Sequence, residues 1–260
     1  MTMSLLRNCM HGSATALYID QSAPSVLFKA SVLENGVSDL LREYEGLTWY
    51  CHRRIGMSKL ACKLHTTLRR YARLEVQHVD AKSVKPKTGI KRNTNLLERI
   101  IIHYAFIWNK ANSVDGKFPM HGDLSLENIL FDENDIYFID WEHFSLGVVP
   151  WGYDVIYLLF ETYWFRRQCL FFSGRVELTS ISYLIQFLSS LGPLENKFIT
   201  HPLASVVDFI RENRHLWGSQ LEEFPMKLPL LSMNQPDIDR IDKFIANDIK
   251  RNVNEKIVSN

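Results

Sequence analysis

Apolar positions in the first eighty residues fall in short runs rich in aromatic and β-branched side chains, the pattern of half-buried strands. TALYID (15–20) and SVLFKA (25–30) are two such runs, with QSAP between them as a turn. An opening strand is expected near Leu5–Arg7, with Gly12 and Ser13 forming the loop that follows. Lys59–His65 and Ala72–Val79 are further strand candidates. Ahead of those two, Leu40, Leu41, Tyr44, Leu47 and Thr48 recur at helical spacing and predict a helix over Val37–Tyr50.

From Asp80 the texture changes. Residues 82–92, KSVKPKTGIKR, carry five Lys or Arg and no acid, which reads as a solvated linker or as a contact for an anionic substrate or membrane surface. Beyond it the periodicity is helical. Leu97, Ile100, Ile101, Tyr104, Ala105 and Trp108 share one face, and Asn95 with Glu98 has the form of a capping box at that helix's start. Further helices are expected over Tyr153–Arg167, Val176–Leu191, Leu203–Leu216 and Ile238–Val253. The pattern is therefore α+β: a small β-rich N-lobe over 1–79, a larger mainly helical C-lobe over 80–260, and a ligand cleft between them.

The chain has 260 residues, 46% of them hydrophobic and 23% charged, with a formal net charge of +1. Near-neutrality removes a global electrostatic case for nucleic acid as partner. The four cysteines, Cys9, Cys51, Cys62 and Cys169, form no C-x-x-C pair, so neither a disulfide scaffold nor a thiolate zinc site is expected. The start lacks the apolar core of a signal peptide. The most apolar stretch, Val155–Phe165, is short and carries Glu161, so no transmembrane segment is expected and a cytoplasmic location is.

The chemistry concentrates in HGDLSLENILFDENDIYFIDWEHF, residues 121–144. Ile129–Phe131 and Ile136–Ile139 are apolar runs separated by Asp132–Asp135, a turn signal, and together read as a hairpin. Asn128 precedes the first strand and Asp140 follows the second, so an antiparallel pair sets their backbones roughly 5 Å apart at its open end. An amide oxygen and a carboxylate so placed can ligate one hard divalent cation such as Mg2+. Asp123, in the loop upstream, can face the same point and accept the proton of an attacking hydroxyl.

This ordered set, H-x-D-x-x-x-x-N followed by an Asp after the next hairpin, resembles the catalytic and metal loops of the protein-kinase-like superfamily. Gly122 where protein kinases have Arg, and IDWE in place of DFG, make it similar to the small-molecule branch, which includes aminoglycoside phosphotransferases and choline/ethanolamine kinases. The IDWE tetrapeptide with Asp154 fourteen residues after Asp140 is nearest to the choline-kinase-like pattern. The resemblance implies Asp123 as catalytic base, Asn128 and Asp140 as magnesium ligands, His121 as a structural member of the loop, and Asp154 as its support. An ordinary helix N-cap is the plain alternative for Asp154.

The same resemblance assigns Lys29, at the end of SVLFK, to the nucleotide phosphates. It pairs that lysine with Glu43, for which Glu45 is a competitor, and assigns the hinge that meets adenine to the backbone of Gln77 and Val79. No G-x-G-x-x-G is present, and Gly12 is the only glycine before Lys29. The implied activity is ATP- and Mg2+-dependent transfer of the γ-phosphate to a hydroxyl of a small molecule: an amino alcohol, a sugar or glycan, or an aminoglycoside-like compound. The alternative is a catalytically silent kinase-like module that binds nucleotide or a partner. A protein kinase is disfavoured, since no A-P-E follows Asp140.

The acceptor is not written in the sequence. Trp141, Trp151, Tyr153, Tyr163 and Trp164 crowd the region after Asp140, where they suit a quaternary ammonium, a sugar face or simply the core. Glu142 reads as a loop acid that could face the cleft. Glu222, Glu223, Asp237 and Asp239 are candidate acids for a polycation, diluted by Lys227, Arg240 and Lys243. Basic residues at Arg53–Arg54, Arg69–Arg73 and 82–92 point instead to an anionic acceptor, or through 82–92 to peripheral membrane contact. The oligomeric state is open.

Overall fold

The structure is a computed structural model that describes residues 3–7, 16–20, 23–54, 61–67, 70–77, 81–83, 90–132, 135–170, 175–217 and 229–258. Five antiparallel strands form the first sheet: β1 (Met3–Arg7), β2 (Ala16–Asp20), β3 (Ala23–Ser31), β4 (Cys62–Thr67) and β5 (Tyr71–Gln77), in spatial order β1-β2-β3-β5-β4. Helix α1 (Glu34–Arg53) leaves β3 and packs on this sheet. Lys29 pairs with Leu17 on one side and Leu74 on the other, so its side chain shares a face with Leu74, which is buried on the α1 side.

The remainder is mainly helical, with α2 (Ile90–Trp108), α3 (Tyr153–Leu170), α4 (Arg175–Ser189), α5 (Lys197–Thr200), α6 (Pro202–Glu212) and α7 (Gln235–Val258). Two small sheets are set into it. In one, β6 (Lys82–Ser83) pairs with β8 (Ile129–Phe131), which forms a hairpin with β9 (Ile136–Phe138); in the other, β7 (Phe118–Met120) pairs with β10 (Ser145–Val149). The fold is thus the expected α+β arrangement, a β-rich N-terminal part followed by a larger, mainly helical part.

Helix α1 is buried on more than the one face its periodicity marks. Leu40 and Leu47 are buried as the spacing requires, but so are Val37, Glu43, Gly46, Trp49 and Tyr50. The cause is position: α1 lies between the sheet and the helical part, and one continuous core runs from Ala72 and Leu74 through it to Trp108, Phe138, Trp141 and Ile245. Gly46 is what permits the approach, because a Cβ there would lie 2.6 Å from Trp141 Cβ.

Several boundaries differ from expectation. Helix α2 starts at Ile90, so Asn95 lies within it and caps nothing. No Gly or Pro separates Ile90 from Leu97, and the polar turns before the apolar face simply continue the helix. The basic stretch 82–92 is no uniform linker, since Lys82–Ser83 form β6 and Ile90 opens α2, while 84–89 lie outside the described residues. Strand β4 spans Cys62–Thr67, Lys59 and Leu60 lie outside the described residues, and the helix expected over Leu203–Leu216 ends at Glu212, followed by a tighter turn at Arg214–Trp217. No helix among the described residues is long and apolar enough to cross a membrane.

Candidate active site

The β8–β9 hairpin sets the site's frame. Ile129 pairs with Phe138, and Ile139 N donates to Asn128 O at 3.0 Å, so Asn128 and Asp140 flank the open end as the alternation predicts. Asp140 has φ +63°, a left-handed conformation uncommon for a non-glycine residue, at the point where the chain leaves the strand. Its side chain is 38% exposed.

Lys29 crosses to it from the sheet. Lys29 Nζ donates to Asp140 Oδ1 at 2.7 Å and to Glu43 Oε1 and Oε2 at 2.7 and 2.8 Å. Strand β3, helix α1 and the hairpin end therefore meet at one ammonium. Glu43 is buried and Glu45 is exposed, which settles which of the two acids faces the lysine. Burial works against the Lys29 charge, but Asp140 and Glu43 outweigh it and hold its pKa well above the ordinary lysine value. Burial pushes Glu43 up to about 6 against the pull of Lys29. At Asp140 burial acts upward too, but there Lys29 prevails and the pKa is lowered.

The loop ahead of the hairpin is held from several sides. Asp154, in the first turn of α3 and fully buried, accepts from His121 N (3.1 Å to each oxygen) and from Gly122 N (3.1 Å). Its carboxylate thus supports the loop, while Gly152 O starts the helix by accepting from Val155 and Ile156 N. Burial pushes Asp154 up to about 7 despite those two donors. His121 is fully buried, its Nε2 3.0 Å from Ile139 O and its ring 4.4 Å from that of Trp141; burial lowers its pKa to about 4, so the ring is neutral. Gly122 has φ +89°, and a Cβ there would lie 2.5 Å from His143 Cβ and 2.8 Å from His143 O. An arginine at this position is sterically excluded.

Asp123 is held at both carboxylate oxygens. Asn128 Nδ2 donates to Asp123 Oδ2 at 3.0 Å and to its backbone oxygen at 2.8 Å, while Tyr157 OH donates to Oδ1 at 3.2 Å. With Asn128 so oriented its nitrogen faces Asp123, which leaves the amide oxygen as the atom a cation would take. An amide oxygen beside the half-exposed Asp140 carboxylate is an all-oxygen donor set that fits Mg2+.

Three participants escaped the sequence reading. Tyr157 stands one helical turn after Asp154 and so faces the same loop, a signal that i, i+3 spacing carries once Asp154 is placed. Trp217 Nε1 donates to Gly122 O at 2.9 Å from a turn 95 residues away, which no local pattern reveals. Arg42 Nε donates to Glu142 O at 2.7 Å and its Nη2 to Asp39 at 2.5 Å, tying α1 to the segment after Asp140. Burial, then the Asp140 charge, pushes the Glu142 carboxyl up to about 8. Glu161, on α3, is raised to about 7 by burial and then by Asp123 and Glu127.

Other candidates are not brought to this point. Trp141, Trp151 and Tyr153 are core residues, each 1% exposed or less: Trp141 packs against Trp49 and Trp108, Trp151 against Tyr104 and Gly192, and Tyr153 against Phe209. The side chains of Tyr163 and Trp164 lie outside the described residues, as do Val79, Arg69, Glu222, Glu223 and Lys227. Gln77 N–H already donates to Ala61 O at 3.0 Å, so it is not a free hinge donor. Of the basic stretches, Arg54 is buried against the hairpin, Arg73 pairs with Glu75 at 2.6 Å, and Arg53 covers the Trp49 ring at 4.5 Å. Asp237 pairs with Arg240 at 2.6 Å and Asp239 accepts from Gln235 at 2.9 Å, local contacts at the start of α7.

No curated protein sequence matches the chain. Among solved structures, the streptomycin–ATP ternary complex of APH(2″)-IIa is similar at 10% identity and a TM-score of 0.48, over 92% of this chain and 93% of that one. The GDP complex of wild-type aminoglycoside 2′-phosphotransferase-IIIa is similar at 12% identity and a TM-score of 0.44, over 97% and 93%. Residues 58–177 match the phosphotransferase enzyme family, a stretch that carries Asp123, Asn128, Asp140 and Asp154. Over residues 58–177 the chain is thus similar to the phosphotransferase enzyme family.

Proposed function

We propose that the protein is an ATP- and Mg2+-dependent phosphotransferase that moves the γ-phosphate to a hydroxyl of a small molecule such as an amino alcohol, a sugar or glycan, or an aminoglycoside-like compound. The observation that carries this reading is the convergence of Lys29, Glu43 and Asp140 within 2.8 Å, with Asp123 and Asn128 joined beside it. A phosphate-binding cation, an oxygen donor pair for a metal and a fixed carboxylate are the parts phosphoryl transfer requires.

In this reading residues 1–79 bind nucleotide and 80–260 supply the catalytic loop, metal ligands and acceptor site. Lys29 holds nucleotide phosphate, kept charged and aimed by Glu43. Asn128 Oδ1 and Asp140 would hold Mg2+, which when bound supplies neutralisation of phosphate charge. Asp123 orients the acceptor hydroxyl for in-line attack and accepts its proton. His121 and Asp154 keep the loop in register, and the adenine contact falls to backbone groups around Gln77 and Val79 other than the Gln77 N–H, which Ala61 O already takes. Most of the catalysis is positioning and charge complementarity. A cytoplasmic location suits a nucleotide-dependent enzyme.

Thermal unfolding with ATP, in Mg2+ or in chelator, tests the nucleotide site. Ligand at about a hundred times its dissociation constant adds roughly 2.7 kcal/mol, a rise of roughly 5–10 °C for a chain of this size. Phosphate transfer from MgATP to choline, ethanolamine, monosaccharides and kanamycin then tests the reaction. A Mg2+-dependent shift without transfer or hydrolysis would leave the silent binding module; no shift at millimolar ATP would remove the nucleotide site as well.

A further inference from the structure

We propose that Tyr157 is a positioning residue for the transfer step, its hydroxyl fixing the plane of the Asp123 carboxylate; the proposal rests on the phosphotransferase reading above. A carboxylate turns readily about its last side-chain bond, and an attacking hydroxyl is aligned only if that plane is set. Asn128 reaches Oδ2 and the backbone oxygen of Asp123, both on one side of the residue. Tyr157 supplies the opposing restraint, on Oδ1 at 3.2 Å.

The support behind Tyr157 is rigid. Its side chain is 2% exposed, and it stands one turn beyond Asp154, whose carboxylate grips the His121 and Gly122 amides. Helix α3 thus holds the loop backbone with one residue and the functional carboxylate with another. Trp217, holding Gly122 O at 2.9 Å, prevents the loop from rotating as a body away from α3. Burial, then the Asp123 charge, keeps the phenol protonated far beyond neutral pH, so it remains a donor in working conditions.

Tyr157→Phe removes one oxygen and keeps the buried ring. With MgATP as donor, and with the best acceptor of the compounds named above or water, kcat should fall about tenfold to a hundredfold, the loss typical of a hydrogen bond to a charged group. KM for MgATP and the ATP-induced thermal shift should stay within twofold of wild type. A purely structural residue would instead lower the unfolding midpoint and move both constants. In the Asp123→Asn background, Tyr157→Phe should cost little further, because its effect passes through Asp123. Wild-type kcat in a folded Tyr157→Phe protein would overturn this inference alone. An inactive wild-type protein would overturn the phosphotransferase reading and this inference together.

Discussion

Lys29 Nζ lies 2.7 Å from Asp140 Oδ1, across 111 residues of sequence, and bonds Glu43 on its other side. One cation thereby satisfies two carboxylates from different parts of the fold. Substituting Lys29→Ala leaves Glu43 buried without its counter-charge, so the urea midpoint should drop by the equivalent of about 1–3 kcal/mol. The MgATP-induced thermal shift should vanish. A Lys29→Ala protein that still gains several degrees from MgATP would show that the phosphates bind elsewhere.

Gly122→Ala should be costly in two ways. A φ of +89° strains any side chain, and the new Cβ would lie 2.8 Å from His143 O, which is backbone and yields little. A loss of about 2–4 kcal/mol is expected by urea unfolding, with turnover reduced further because Asp123 is the next residue. An unchanged urea midpoint would mean that the loop has another stable conformation.

Gly46→Ala goes against helix propensity. Within a helix alanine is normally the better residue by roughly 0.5–1 kcal/mol. Here the added methyl would meet Trp141 Cβ at 2.6 Å and Phe144 Cβ at 2.9 Å. The variant should be less stable than wild type, with a smaller ATP-induced shift as α1 and Glu43 move away from the hairpin. A gain in stability would refute the close packing.

Stability should vary with pH in opposite senses for two sets of groups. Burial raises Asp154 to about 7 and Asp242 to about 6, the latter despite the Ala204 and Leu203 amides it accepts. Their folded pKa values exceed the ordinary carboxylate value near 4, so the stability they contribute is full below about pH 4 and is lost as pH rises through 6 and 7. His103 and His121 are lowered by burial to about 3 and about 4, so their contribution is full above about pH 6.5 and is lost on acidification. Asp242→Asn should flatten the decline between pH 4 and 6, read from urea midpoints; an unchanged slope would assign that decline to other groups.

The hairpin and its polar flanks were legible because alternation and a strong turn fix register locally, so Asn128 and Asp140 could be placed before any contact was known. Glu43 over Glu45 was open in sequence, since both lie on α1 and only the tertiary approach of Lys29 decides. Trp217 and Gly46 could not be read, because each acts through a partner about 95 residues away, Gly122 and Trp141 respectively. The aromatic cluster after Asp140 was ambiguous for a related reason: a tryptophan in the core and one lining a site look alike until burial is known. The pairing of β7 with β10 was hidden by length, as FPM is too short to show a period and contains Pro119.

Helix α1 is fastened to the helical lobe near its middle by Arg42 on Glu142 O, and just past its C-terminal end by Arg54 on Asp135 Oδ1 (2.6 Å) and Ile136 O. Its middle is seated on Trp141 through Gly46. Ala72 and Leu74 of the sheet consequently belong to the same core as the helical lobe. Heating should then melt both lobes in one calorimetric peak, with the van't Hoff and calorimetric enthalpies equal, and the sheet expressed without the helical lobe should not fold.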